Sequence, residues 1–478
     1  MTRRPTAALG FAAACLLAGC SVGPTYHRPA TAIPKSWANA TATGSWPSAR
    51  WWTSFGSARL DTLMAEAHAA NFDVAAAIAR VRQADAQLRV AGAALLPSLN
   101  ASAGASRQRS SMSSGPDHAI LPRAPLTNSF SLDLTASYEL DFWGANRALE
   151  RAAKAQAAAS RDDLLTTRLT VQASVANTYF DLLGQAERLR VARSTVTNAR
   201  QVLAIVRNRF RAGTATDLDV AQQESVVAAQ EATLPPLEEK LRQDVNALAV
   251  LVGRMPESMP ADLAGKPDSL DAIRVPVVRP GLPSHLLARR PDVRSAEQQL
   301  IAANANIDNA RAQFFPAISL TTQGGLASAA LDTLITHTGL VYSFGTSVLQ
   351  TIFDGGKLSG QLEQQKGRYQ ELLADYRKSV VSAFSDVENA LIAVSRTRAL
   401  VRAERVNVAT SLKAYRISSD QFRAGIVDIT SVLTTQRALY AAQDALAQAQ
   451  VSRLQAVVGL YQALGGGWGP LPPTMKAG

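Results

Sequence analysis

Cysteine is nearly missing from this chain: Cys15 and Cys20 are its only two, and both lie near the N-terminus. No internal disulfide framework can therefore hold the body together. Histidine is scarce as well, with His27, His68, His118, His285 and His337. None falls in an HExxH pattern or at a paired metal spacing, so a zinc hydrolase is excluded. There is no G-x-S-x-G elbow and no Walker loop, and Asp354-Gly355-Gly356 reads as a turn after a strand. The chain thus lacks the parts of an enzyme, and without a nucleotide loop it cannot itself power transport. Aromatics are only 6% of residues, and no long Gly/Ser linker divides the sequence. That composition, dominated by Ala, Val and Leu, belongs to long packed helices rather than to a string of compact cores.

What is present is said twice. Phe210-Arg211-Ala212-Gly213 recurs 212 residues later as Phe422-Arg423-Ala424-Gly425. Each copy ends a ladder of apolar residues seven apart: Val175, Leu182, Leu189, Val196, Leu203, Phe210, and then Val387, Val394, Val401, Val408, Tyr415, Phe422, preceded by Val380. Ladders of this period predict long helices with a seam for a neighbour, in two similar halves. The expected long helices cover about 144–209 and 356–421, each roughly 100 Å at 1.5 Å per residue. Turns at Gly213 and Gly425 then reverse the chain into return helices at about 216–252 and 428–464.

A second period lies between them. Phe130, Leu132, Leu134, Ala136, Tyr138, Leu140 and Phe142 alternate with Ser131, Asp133, Thr135, Ser137, Glu139 and Asp141. This is a strand with one apolar and one polar face, slightly longer than the roughly 9–11 residues a transmembrane strand needs. Weaker alternation from Ser98 to Ala103 supplies its hairpin partner. In the second half Ile318–Thr321 and Tyr342–Phe353 repeat the arrangement, less cleanly at Gln350. Four strands cannot close a barrel, and lipid does not tolerate an open edge, so copies must assemble.

The N-terminus reads as an export signal: Arg3 and Arg4, an apolar run over 7–17, then Leu17-Ala18-Gly19-Cys20. The run is too short to cross a bilayer as a helix. Cys20 stands where a bacterial lipobox places its acylated thiol, and Ser21 favours the outer membrane. The net charge is +11, with arginines scattered along helical faces and no aromatic–basic platform, so nucleic acid is not an expected partner.

Several stretches resemble one family: Cys20–Pro29, Trp51-Trp52-Thr53-Ser54-Phe55, Leu282–Val293 with Arg289-Arg290-Pro291-Asp292, Ala302–Pro316, and Leu460–Trp468. Together they resemble the TolC/OprM-type outer-membrane efflux lipoproteins, the NodT family. The resemblance implies a mainly α fold with a β-barrel part. It implies a homotrimer of four strands per chain, a twelve-stranded barrel above an α-helical barrel. It also implies a passive exit channel in the outer membrane of a Gram-negative bacterium, anchored in outer-membrane lipid through Cys20, with most of the chain in the periplasm and no cofactor. The partners implied are a periplasmic adaptor and an inner-membrane pump, usually of the resistance-nodulation-division type. An exit duct for secreted proteins (a type I system) is the alternative with the same fold, and a structural lipoprotein is a further rival.

The corresponding organisation is a signal peptide (1–19), a lipidated tail (20–58), a first repeat (59–254, hairpin about 98–142, tip 210–217), a Pro-rich connector (255–284), a second repeat (285–467, hairpin about 317–353, tip 422–428) and a C-terminal tail (468–478). The resemblance carries adaptor docking to Arg211, Gly213 and Thr214 and to Arg423, Gly425 and Ile426. Family members often carry two aspartates after the second tip; here those positions fall on Ser431 and Thr434. The gate is therefore expected among Asp217, Asp219, Asp428, Ile429, Ser431 and Thr434, through a displaced acid or through hydroxyl and apolar packing.

Overall fold

The computed structural model describes residues 23, 25–39, 46–109, 126–265 and 268–466. Its element order is α1 (Ala58–Ala70), α2 (Phe72–Ala93), β1 (Ser98–Arg109), β2 (Leu126–Leu140), α3 (Ala145–Arg211), α4 (Asp217–Glu231) and α5 (Leu234–Leu251). Then follow α6 (Asp262–Gly265), α7 (Pro283–Arg289), α8 (Pro291–Ala312), β3 (Ala317–Ser328), β4 (Leu340–Leu349), α9 (Lys357–Arg423) and α10 (Ile429–Ala463). The described residues are mainly helical, with one four-stranded antiparallel sheet among them in the order β1-β2-β3-β4. Its described residues fall into two compact units.

The first unit draws on Met1–Pro29, Arg82–Ala159 and Ala296–Asp375 and contains the sheet. Register fixes its chemistry. Ala101 sits opposite Leu134, Leu134 opposite Gly324, and Gly324 opposite Tyr342, while Ser102 sits opposite Asp133 and Asp133 opposite Gly325. One face therefore collects Leu99, Phe130, Leu132, Tyr138, Leu320, Tyr342, Phe344 and Val348, and the other collects Ser98, Asn100, Ser131, Asp133, Thr135, Ser319, Gln323 and Ser347. Among the described residues the apolar face is left open: Leu132 and Leu134 are 47% and 49% exposed. At one end of the strands Trp143 stacks on Phe315 at 4.6 Å and donates its indole N–H to the Pro316 carbonyl at 2.9 Å. Asp141 accepts from the Asn146 and Arg147 amides at 2.9 Å, capping α3, and Asp354 accepts from the Gly356 and Leu358 amides ahead of α9.

The last strand is shorter than the alternation predicts. β4 stops at Leu349, and just beyond it the Gln350 side-chain amide donates to the Phe314 and Thr351 carbonyls.

The second unit draws on Ala30–Val81, Ser160–Ser295 and Tyr376–Gly478. Its core gathers Trp51, Phe55, Leu60, Met64, Tyr179, Phe180, Leu182, Leu248 and Val458, all nearly sealed from solvent. The helical stretch that opens the first repeat is two helices, because Asn71 ends α1 and caps α2: its side chain accepts from the Val74 amide at 3.0 Å and donates to the Leu251 carbonyl at 2.8 Å. The first return helix is also broken, between Glu231 and Leu234, where Pro235 and Pro236 follow. Neither proline can donate to the helical ladder, so the chain restarts as α5. The connector holds the short α6 and two 3₁₀ turns, more regular structure than its prolines predict. Arg290, from the Arg289-Arg290-Pro291-Asp292 motif, binds Asp292 and Asp386 and donates to the Ala463 carbonyl, clasping the end of α10.

Candidate functional site

The two glycine turns are built alike, for the reason that a helix reversing direction needs one residue in the left-handed region. Gly213 has φ +75° and Gly425 φ +77°. Behind them the Thr214 amide donates to the Arg209 carbonyl and the Ile426 amide to the Gln421 carbonyl, each at 2.9 Å, which satisfies the last carbonyls of α3 and α9. Arg211, Gly213, Thr214, Arg423, Gly425 and Ile426 are all exposed, Ile426 to 70%. Arg423 pairs with Asp420 at 2.9 Å.

The acids near the turns have local work. Thr216 and Asp219 form a reciprocal capping box on α4, with the Thr216 amide donating to Asp219 Oδ2 at 2.7 Å. Asp217 lies in the first turn of α4, and Asp428 caps α10 by accepting from the Ser431 amide at 3.0 Å. Carboxylates at helix N-termini are favoured by the unpaired amides and the dipole there. Ser431 and Thr434 are exposed, and Thr434 donates its hydroxyl to the Thr430 carbonyl. Ile429 and Val432, in contrast, are buried with Val206, Val226, Phe422 and Leu433. They hold the hairpins together from inside.

The sequence reading missed two groups here. Arg209 donates to the Phe422 carbonyl at 3.0 Å and places its guanidinium 4.6 Å from the Phe422 ring centre, tying one turn to the other. Leu218 lies exposed between Asp217 and Asp219, and with Phe210 and Ile426 it gives the turns an apolar surface. An unpaired apolar residue inside a polar tip was the available signal for Leu218; Arg209 had none, because its partner lies 213 residues away.

Along the first hairpin, the heptad arginines face acids: Arg193–Glu238 at 2.8 Å, Arg200–Glu231 at 2.6 Å and Arg207–Glu224 at 2.7 Å. The second hairpin meets the first through Arg188–Asp444 at 2.6 Å and Gln455–Asp181 at 2.9 Å, which join α10 to α3. Gly184 allows that approach, since a Cβ there would strike Val451. Among the described residues no cluster of His, Cys, Asp or Glu could hold a metal, and no helix is long and apolar enough to cross a membrane. Cys20 and Trp468 lie outside the described residues.

Comparisons agree with this architecture over nearly the full length. The chain is 41% identical over 466 residues to the pyoverdine export outer membrane protein OpmQ of Pseudomonas aeruginosa, covering 96% of this chain and 97% of that one. It is 39% identical over 461 residues to the protein of the same name from Pseudomonas putida, covering 96% and 97%. The structure of the outer-membrane channel OprN superposes with a TM-score of 0.87 at 27% identity, over 94% of this chain and all of that one. The fold is therefore that of the TolC-like efflux channels, and the protein is not an enzyme. With residues 63–254 and 282–466 matching its pattern, the chain belongs to the outer membrane efflux protein family.

Proposed function

We propose that this efflux channel works as the passive exit duct of a tripartite pump. The observation that carries the reading is the exposed apolar face of a sheet whose two outer edges, on β1 and β4, have no partner strand among the described residues. Lipid suits that face but not those edges. Three copies close them into a twelve-stranded barrel, and the hairpins continue as a helical tube toward the periplasm. Cys20 carries the lipid, and acyl chains at roughly 0.8 kcal/mol per buried CH₂ hold the trimer in the outer membrane of a Gram-negative cell.

The exposed turns are the docking points for a periplasmic adaptor: Arg211, Gly213, Thr214 and Leu218 on one, Arg423, Gly425 and Ile426 on the other. A proton-driven inner-membrane pump supplies the energy. The gate lies on the exposed hydroxyls of Ser431 and Thr434, on the helix that Asp428 caps, while Ile429 and Val432 set the spacing of the hairpins from within. The cargo is a small toxic compound or a secreted chelator, the second supported by the two relatives named for pyoverdine export.

Purified protein in planar bilayers is expected to conduct, with weak cation selectivity. Strong selectivity abolished by Asp428→Asn would assign the gate to the acid and overturn the hydroxyl reading. A deletion strain that exports and resists like its parent would remove the efflux role. Unchanged acyl labelling of Cys20→Ala would remove the anchor.

A further inference from the structure

The two hairpins share one pattern yet balance charge differently. On the first, Glu224, Glu231 and Glu238 answer the heptad arginines of α3. At the 212-residue offset these acids become Gln436, Gln443 and Gln450. Arg200 and Arg207 go with them, to Leu412 and Ser419, but Arg190 and Arg193 persist as Arg402 and Arg405, and Arg398 and Arg453 stand where the first half has Ala186 and Leu241. An amide cannot neutralise a guanidinium.

The consequence is visible on α9 and α10. Burial, and then Arg398, Arg405 and Arg402, make Arg453 a weaker base than an ordinary guanidinium. Among the described residues, the ion pairs found include none for these four. Glu404, the nearest acid along α9, accepts from Asn407 at 3.0 Å, and Gln450 donates to Asp271 at 2.6 Å. The acids of α5 are a poor source of the missing charge in a second copy, because Glu238 and Asp244 are already paired with Arg193 and Lys240 and Glu239 accepts from Gln243.

We propose that Arg398, Arg402, Arg405 and Arg453 form a docking site for an acidic helical segment of a partner protein. Arg398, Arg402 and Arg405 sit at i, i+4 and i+7, so they line one helical face over about 10 Å. Carboxylates repeating at the same interval on a facing helix meet three guanidinium forks at once, the geometry in which arginine excels. The helices supply the site ready-made, and a like-charge cluster loses its mutual repulsion when the acids arrive. This surface is separate from the glycine turns and goes beyond the duct reading.

The test uses the full-length protein in detergent and a fluorescent helical peptide with glutamates at i, i+4 and i+7, measured by anisotropy at low salt. The triple variant R398Q/R402Q/R405Q is expected to weaken binding at least tenfold. R193Q/R200Q/R207Q removes the same charge from the paired ladder and is expected to change it less than twofold. The first variant should also melt at a higher temperature than the wild type, which shows that it folds and that repulsion has been relieved. Equal weakening by both triples, absence of binding to the wild type, or competition-proof binding of inorganic pyrophosphate alone would each overturn the proposal. Bilayer conductance of R398Q/R402Q/R405Q should match the wild type, so a failed docking site and a failed duct are told apart.

Discussion

The two hairpins began with the same ladder and diverged in how the ladder is used. In the first, the arginines are paired on their own return helix, and that helix is broken at Pro235-Pro236. In the second, the return helix α10 runs unbroken for 35 residues and the acids are glutamines. The last rungs differ most. Phe210 is 45% exposed, whereas Phe422 is 8% exposed beneath Arg209. A duplicated sequence is thus a constraint on helix length and seam, and leaves each copy free to acquire its own contacts. One copy pairs its heptad arginines with its own return helix; the other carries arginines that are not matched by acids on its return helix.

The largest test of that difference is at the last rungs. Phe422→Ala is expected to destabilise by about 3 kcal/mol, the usual cost of emptying an aromatic site in a core. Phe210→Ala, at the equivalent rung, is expected to cost less than about 1 kcal/mol because most of that ring's surface is not withdrawn from water. Denaturant unfolding in detergent measures both, and equal losses would break the comparison.

A smaller effect concerns a charge buried in the first half only. Asp162 on α3 is pushed up to about 6, chiefly by burial, with Arg294 at 2.8 Å opposing the rise; its counterpart in the second half is Ala374. The folded protein therefore holds this proton more tightly than the unfolded chain, whose carboxyl sits near 3.8. Its contribution to stability is fullest below the unfolded value, falls as pH rises toward about 6, and stays low above it. Asp162→Asn should flatten that part of the melting-temperature profile. A profile unchanged between wild type and variant would assign the slope to other groups.

The smallest effect is expected at an exposed ion pair. Glu231→Gln copies the second hairpin's Gln443 into the first, and removes the Arg200–Glu231 pair, both of whose side chains are exposed. Such pairs contribute about 0–1 kcal/mol and are screened by salt. The variant should melt within a few degrees of the wild type at low salt and converge with it at high salt.

Much of the architecture was legible because it depends on period. Alternation from Phe130 to Leu140 announced a two-faced strand, and the heptads announced the long helices, since both periods follow from backbone geometry alone. The breaks were less legible. Pro235-Pro236 was readable in principle, whereas Asn71 ends α1 by reaching the Leu251 carbonyl, a partner no local pattern contains. The candidate site shows the same limit. Glycine at 213 and 425 follows from the left-handed backbone of a sharp turn. That Ile429 and Val432 face the hairpin core, and that Asp428 and Asp219 serve as caps, depends on which side of each helix packs inward.

The sequence by itself determined two repeats, their long helices, the two-faced strands and the reversing glycines, because each is written in local period or local backbone preference. The tertiary structure decided which apolar rungs are buried, which arginines find acids and which turn residues touch across the hairpins. Those outcomes depend on contacts hundreds of residues apart, and packing rather than period selects them.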